Sequence, residues 1–532
     1  MTKRLRQPAV TSHNFAQVPQ VNIPRSVFSR SHAYKTTLDT GGILYPIYVD
    51  EALPGDTFSC RMASMARLNT PLFPIIDNLH IDFFFFAVPN RILWDNWERF
   101  MGAQDDPGDS TDFEVPTVTA AAGFSEGTIY DYMGIPTQVV PLVVNALPLR
   151  AYVKIWNEWF RDENLQDSYL LPTDDGPDLS TEYELLTRGK RKDYFTGALP
   201  WPQKGPGVEL PLGSSAPVLG IGKLNQTFGA SSTSVYETDG TGTTSYANSA
   251  LIAGSSGASS GYHIEEDPGN SGFPNIRADL SNATGATINS LREAFQLQKL
   301  LERDARGGTR YTEILQSHFR VFSPDQRMQR PEYIGGGSTP IIIQPVPQTS
   351  ESNTTPQGTL TGYGYHNQNH ISWSKSFVEH CTIIGLASVR ADLTYQQGLD
   401  RQWNRRTKYD YYWPALAFLG EQEILNKEIM ATGTLDDGTW AYQERWAEYR
   451  YANSKITGKL RSNATSSLDA WHLSQDFATR PDLNSDFIEE DPPIERIVAV
   501  TTEPALLFDA WFDLKCARPM PTWSQPGMID HF

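Results

Sequence analysis

The stretch DNLHIDFFFFAVP, residues 77–89, decides the fold class. Read with period two, Leu79, Ile81, Phe83, Phe85 and Ala87 share one face, apolar from end to end. The opposite face begins polar with Asn78, His80 and Asp82, then turns apolar with Phe84, Phe86 and Val88. A helix would scatter four consecutive phenylalanines around its circumference, whereas a strand sorts them onto two faces. The expected element is a strand buried on one side throughout and covered on both sides in its second half. Pro89 ends it, because proline has no amide hydrogen for the ladder.

Three more segments carry the same period. After the Gly55-Asp56 turn, Phe58, Cys60, Met62, Ala66 and Leu68 alternate with Ser59, Arg61 and Arg67. From Cys381 to Leu393 the odd positions are apolar or small, and Thr382, Ser388, Arg390 and Asp392 share the other face. Leu506, Phe508, Ala510, Phe512, Leu514 and Cys516 alternate with Asp509, Trp511, Asp513 and Lys515, the cleanest strand in the chain. Good strands thus lie towards both ends, and residues 102–380 read as loops and helices. One or two strands alone cannot bury such faces, so strands distant in sequence must pair. An antiparallel Greek-key sandwich or barrel does this; a wound α/β sheet would need strands alternating with helices, a rhythm that is missing.

The helical signals are few. Trp94, Trp97 and Met101 recur at helical spacing ahead of Gly102. Leu149, Val153, Trp156 and Phe160 predict a helix over about 147–163, with Pro148 in its first turn. Ser290-Leu-Arg-Glu293 reads as a capping box opening a helix that Gly307-Gly308 stops, and Tyr311, Ile314, Leu315 and Phe319 start a second.

Composition bounds the function. The 532 residues are 39% hydrophobic, only 20% charged, and rich in Gly (40), Pro (36) and aromatics (11%). That mix suits many short strands joined by long ordered loops. A net charge of −18 argues against nonspecific nucleic-acid binding by the bulk surface but leaves room for a local basic patch. Such a patch exists: residues 1–38 hold Lys3, Arg4, Arg6, Arg25, Arg30 and Lys35 and no acidic residue. Without hydrophobic periodicity, and with Pro8, Pro19 and Pro24, this segment reads as an extended N-terminal arm over nucleic acid or an acidic neighbouring subunit, ahead of a main domain over 39–532. Within that domain, residues 213–262 are dominated by Gly, Ser and Thr, with only Lys223, Glu237 and Asp239 charged. They read as an inserted surface loop whose Phe228, Tyr236, Tyr246 and Tyr262 are candidate contacts for a partner. Cys60, Cys381 and Cys516 fall in apolar strand patterns and read as buried thiols of a reducing compartment. No apolar run approaches the ~18 residues that span a membrane, and the basic N-terminal residues lack the apolar run of a secretory signal.

Catalytic constellations are absent from the sequence: it holds no Walker A, H-E-x-x-H or G-x-S-x-G motif. On a strand His366 and His370 would share a face, but the surrounding Gly362-Tyr-Gly-Tyr-His-Asn-Gln-Asn reads as a polar turn, and no spaced cysteine or carboxylate completes a metal set. The carboxylate runs Asp105-Asp106, Glu265-Glu266-Asp267, Asp436-Asp437 and Glu489-Glu490-Asp491 each sit beside Gly or Pro and read as solvated turns. No catalytic residue, metal ligand or cofactor is therefore expected. One stretch has character, Tyr395–Trp413, where Arg401, Arg405, Arg406 and Lys408 interleave with Trp403, Tyr409, Tyr411, Tyr412 and Trp413. Cations hold phosphates and rings stack on unpaired bases, so this suits single-stranded nucleic acid; it equally suits a protein interface.

Longer blocks point to a family. Pro54-Gly-Asp-Thr-Phe58, the run from Val88-Pro-Asn-Arg91 into Trp97-Glu-Arg-Phe-Met101, Tyr395–Arg401, Arg405–Pro414 and Tyr442–Tyr451 together resemble the major capsid proteins of the Microviridae, in their gokushovirus branch. The resemblance implies a single eight-stranded antiparallel jelly-roll barrel with large inserted loops and several helices. It implies a T=1 icosahedral shell of identical subunits around circular single-stranded DNA, made in the bacterial host cytoplasm with an internal scaffolding protein and a DNA pilot protein. Residues 213–262 match by position and composition the family's projecting insertion, which would meet a host receptor. Residues 1–38 would line the inside, and Phe84, Phe86 and Val88 would lie under an inserted loop or helix, such as Trp94–Met101. The rival reading is a sandwich-fold protein that binds or cleaves glycans, which would need a cleft with paired carboxylates or a bound calcium.

Overall fold

The computed structural model describes residues 24–208, 287–322 and 329–523, and the backbone of six short strands between 218 and 278. Nine strands make the main sheet: β1 Ser26–Ser29, β2 His32–Leu38, β3 Tyr45–Ala52, β4 Thr57–Leu68, β5 Leu79–Pro89, β6 Glu332–Pro347, β7 Leu360–Ser376, β8 Cys381–Ala391 and β9 Leu506–Arg518. Their order is β1-β9-β4-β7-β6-β5-β8-β3, every pairing antiparallel, with β2 also on β9 beyond β1. The protein is mainly β, and the decisive stretch is its central strand β5.

The sheet curls until its two edges meet through side chains. Arg30 beside β2 donates to Asp50 of β3 at 2.7 Å, His32 stacks on Tyr48 at 5.8 Å, and the Tyr34 hydroxyl bonds Tyr132 O at 2.8 Å. Leu79, Ile81, Phe83, Phe85 and Ala87 all enter the enclosed core, with Phe58, Met62, Trp373, Phe508 and Phe512 from other strands. The opposite face divides as the period predicts. Asp82 is buried on Arg188 and Arg390, while Phe86 and Val88 enter a second apolar cluster, with Phe84 packed against it. The lid over that cluster is the helix Leu147–Ile155, continued by a wider turn over Trp156–Phe160. Phe160 meets Phe84 at 5.1 Å and Phe86 at 5.9 Å, and Trp159 meets Phe86 at 5.5 Å. The expected lid, Trp94–Met101, contributes Trp94 to the cluster with Trp97 and Phe100 packed against it, and leaves Met101 about half exposed.

Two long strands were not expected. β6 carries Gly335-Gly336-Gly337, which reads as a loop, and β7 carries Gly362-Tyr-Gly-Tyr-His-Asn-Gln-Asn, which reads as a polar turn. The glycines are there because β6 crosses the phenylalanine run at close range: Gly335, Gly336 and Gly337 lie opposite Phe85, Phe84 and Phe83. A Cβ on Gly336 would stand 2.1 Å from Phe83 O. Gly336→Ala is accordingly expected to cost roughly 1–3 kcal/mol through strand displacement, read as a lowered denaturation midpoint; an unchanged midpoint would contradict the close approach. The capping box also moves: the helix spans Ile288–Arg306, and Thr287 is the residue whose Oγ1 accepts from Ser290 N at 3.1 Å.

The described part of the basic segment, residues 24–38, is built into the sheet as β1 and β2. Residues 1–23, with Lys3, Arg4 and Arg6, lie outside the described residues. Chain contacts divide the protein into two units, Met1–Pro202 with Gly307–Phe532, and Gln203–Arg306. The second is wider than the 213–262 insertion. Its described elements are the helix Ile288–Arg306 and three antiparallel strand pairs, among them Thr233–Tyr236 on Thr243–Tyr246. No helix among the described residues is long and apolar enough to cross a membrane.

Candidate nucleic-acid and assembly interface

The segment Tyr395–Trp413 is anchored before it turns outward. The Tyr395 hydroxyl bonds Asp193 at 2.5 Å, Gln396 Nε2 donates to Ser462 and Gln475 O, and Leu399 N donates to Lys427 O at 2.8 Å. Gly398 is required, since a Cβ there would lie 2.0 Å from Glu428 O. Its winding course follows from its residues: Gly398 permits the close pass, and Asp410 accepts from Arg406 N and Thr407 N at 2.8 and 2.7 Å, closing a turn. Those amides hold the Asp410 carboxyl below its ordinary range.

Two of the candidate cations are already partnered. Arg401 Nη1 donates to Glu428 Oε1 at 2.9 Å and Glu423 O at 2.6 Å. Glu428 also accepts from the Tyr194 hydroxyl at 2.9 Å and Leu425 N at 3.0 Å; burial raises its pKa despite Arg401. Arg405 lies 3.5 Å from Glu448 and over the rings of Tyr449 and Tyr411 at 4.3 and 5.3 Å. These groups line a cavity of about 270 Å³ in which each cation faces a carboxylate, Lys455 with Asp400 included. Arg406 and Lys408 instead face solvent, beside an open aromatic surface of Trp403 (72% exposed), Tyr409, Tyr411, Tyr412 and Trp413. The sequence named this segment through its composition; it did not tell which arginines carboxylates hold, because Glu428 and Glu448 come from elsewhere in the chain.

The other candidates are placed as follows. Arg25 donates to Thr57 Oγ1 at 3.2 Å and Ala517 O at 3.3 Å, Arg30 to Asp50, and Lys35 to Asp509 at 2.6 Å. Lys35 lies in β2 and Arg25 and Arg30 flank β1, and each has its own acceptor. Tyr236 and Tyr246 lie in the paired strands, opposite Thr243 and Thr233 respectively; Phe228 and Tyr262 lie outside the described residues. His366 is buried against Ser64 at 3.1 Å and its pKa is lowered by burial, while a register shift between Gln368 and Ile371 leaves His370 exposed. The two histidines therefore do not share a face. Among the carboxylate runs, Asp105 and Asp106 are exposed, Asp436 bonds Arg480 at 2.8 Å, Asp437 pairs with Lys427, and Glu490 is buried accepting from Ala391 N at 3.1 Å; 265–267 lie outside the described residues. Cys60, Cys381 and Cys516 are free, buried thiols, the first two pushed up to about 12 by burial.

Comparison with known proteins follows the same line. The family model described as capsid protein (F protein) matches residues 16–528. The capsid protein VP1 of Bdellovibrio phage phiMH2K is 48% identical over 529 residues, 98% of each chain. Those of Chlamydia phage 1 and Spiroplasma virus 4 are 41% and 36% identical, covering 99% of this chain and 100% of theirs.

Proposed function

The chain belongs to the capsid protein (F protein) family and is a major capsid protein of a Microviridae-type bacteriophage, a structural protein and not an enzyme; on that premise we propose that it builds a T=1 icosahedral shell around circular single-stranded DNA. The strand order carries the reading. In it β9 lies between β2 and β4, and β8 between β3 and β5, an order that supports the reading of an eight-stranded jelly roll when β1 and β2 count as one interrupted edge strand. The shell forms in the bacterial host cytoplasm with an internal scaffolding protein and a DNA pilot protein. Electron microscopy of the purified full chain tests this: uniform closed particles support it, and a stable monomer under assembly conditions sinks it.

Residues 1–38, with Lys3, Arg4 and Arg6 at their start and Arg25, Arg30 and Lys35 on the sheet edge, face the genome, as does Arg406; Arg401 and Arg405, spent on Glu428 and Glu448, are not offered to it. What supports this is the segregation of cations from an otherwise acidic chain. Replacing Lys3, Arg4 and Arg6 with alanine is expected to weaken binding to single-stranded DNA uniformly across sequences. The slope of log affinity against log salt should shallow by about 0.7 per lost phosphate contact. An unchanged slope would take the arm off the DNA.

The insertion over 213–262, with Phe228, Tyr236, Tyr246 and Tyr262, meets the host surface receptor. Its sparse charge and its dominance by Gly, Ser and Thr support an exposed role. A chain lacking 213–262 is expected to assemble but to lose host attachment; loss of assembly with attachment intact in the residual particles would reverse the assignment.

A further inference from the structure

We propose that the uncharged segment Tyr411–Gly420 forms a two-fold contact between copies of this chain, in which Phe418 of each copy enters an aromatic groove of the other. Phe418 is 98% exposed, so its ring touches almost nothing of its own subunit. Beside it lies an open groove of about 400 Å³ lined by Tyr412, Ala417, Trp446, Tyr449 and Arg450. The groove is rigid: Trp446 Nε1 donates to Leu416 O at 2.9 Å, and the Trp446 ring meets Tyr412 and Tyr449 at 5.7 and 6.2 Å. Knob and groove are sequence neighbours, since Ala417 lines one and Phe418 is the other.

That adjacency selects the symmetry. A knob and a hole on one patch are satisfied reciprocally by a two-fold axis, whereas a ring needs them on separate faces. Like charges would meet at such an axis, and between Asp410 and Glu421 the chain carries none. Leu419, Tyr411 and Trp413, all about half exposed, extend the same apolar surface. A second copy fits better than a DNA strand. Among the residues that line the groove the one guanidinium, Arg450, is taken by Glu444, so the lining itself offers no net positive charge to phosphates. A capsid protein must cover such surfaces with its own copies, and the proposal rests on that shell-building reading.

The test uses the full chain. If the unaltered chain forms no particles, the shell reading fails; the arms below apply once it does. Phe418→Ala should leave circular dichroism and the subunit's denaturation midpoint unchanged and lower particle yield by roughly tenfold or more, as for a central aromatic anchor, with Phe418→Tyr restoring most of it. Normal yield from Phe418→Ala, or normal yield with reduced DNA content, overturns the proposal. A chain carrying Phe418→Cys and Arg450→Cys should, on mild oxidation, give covalent dimers and nothing larger, its native cysteines being buried. Covalent trimers or pentamers, or no cross-link in assembled particles, also overturn it.

Discussion

Asp82→Ala is expected to destabilise the subunit by about 3–5 kcal/mol, the usual cost of removing one partner from a buried ion pair. Asp82 Oδ2 accepts from Arg188 Nη1 at 2.6 Å and from Arg390 Nε at 2.8 Å, and the Arg390 side chain is 1% exposed. Truncation leaves two guanidinium groups without their common counter-charge. Arg390 keeps only longer contacts, to Asp392 and Ser338 at 3.4 Å each, which do not replace a buried carboxylate. The pair also joins layers, since Arg188 comes from the loop over the sheet and Arg390 from β8. Burial pushes the Asp82 carboxyl up, but the Ser338 hydroxyl and the two arginines outweigh it, and its pKa ends below the ordinary value. A carboxylate with a depressed folded pKa stabilises fully above its unfolded pKa and loses that contribution as pH falls through the folded one. The gap between wild type and Asp82→Ala should therefore be full at neutral pH and shrink only in acid below the ordinary aspartate range. Denaturant titrations of the unassembled subunit at several pH values measure it; a pH-independent or absent gap would show the triad to be structurally idle.

How much of this was legible depends on what sets each side chain's environment. The five core positions of β5 were readable because one period governs the nine residues Leu79–Ala87. The same holds for β4 and β9, whose alternation survives in the observed burial. β8 was legible as a strand but not as one buried throughout. Its polar face is covered because Thr382 Oγ1 donates to Asn90 at 2.9 Å and Arg390 finds Asp82, partners about 300 residues away. β6 and β7 were hidden by composition: glycine weakens strand signals, yet here it lets β6 pass the phenylalanines. The helix Leu147–Ile155 announced itself by its apolar stripe, whereas its target, the outer face of β5, could be named only as covered. At the interaction surface, composition found the segment around Arg401–Trp413, but whether an arginine is offered to solvent or held by Glu428 is decided by tertiary structure alone.

Phe83→Asp carries the largest expected effect and separates the two faces of the strand. Phe83 is fully buried, opposite Gly337 on β6 and Ala387 on β8, so its ring fills space that its small neighbours leave. Rings of Phe508 and His366 stand 5.9 and 6.0 Å away. Losing the ring costs about 3–5 kcal/mol by itself. A carboxylate adds several more, because His366 is kept neutral by burial and offers no cation. The sum is comparable with the whole stability of a typical domain, roughly 5–15 kcal/mol, so the variant should yield no soluble subunit and no particles. Phe84→Asp, one residue along, points to the other face, where Arg188 lies 5.2 Å from the Phe84 ring and can meet the new charge. It should lose the packing on Phe160 but remain soluble. Side-by-side expression, with soluble yield and particle counts, decides the matter: equal losses would mean that the faces are not distinct, and wild-type yield from Phe83→Asp would remove this residue from the core.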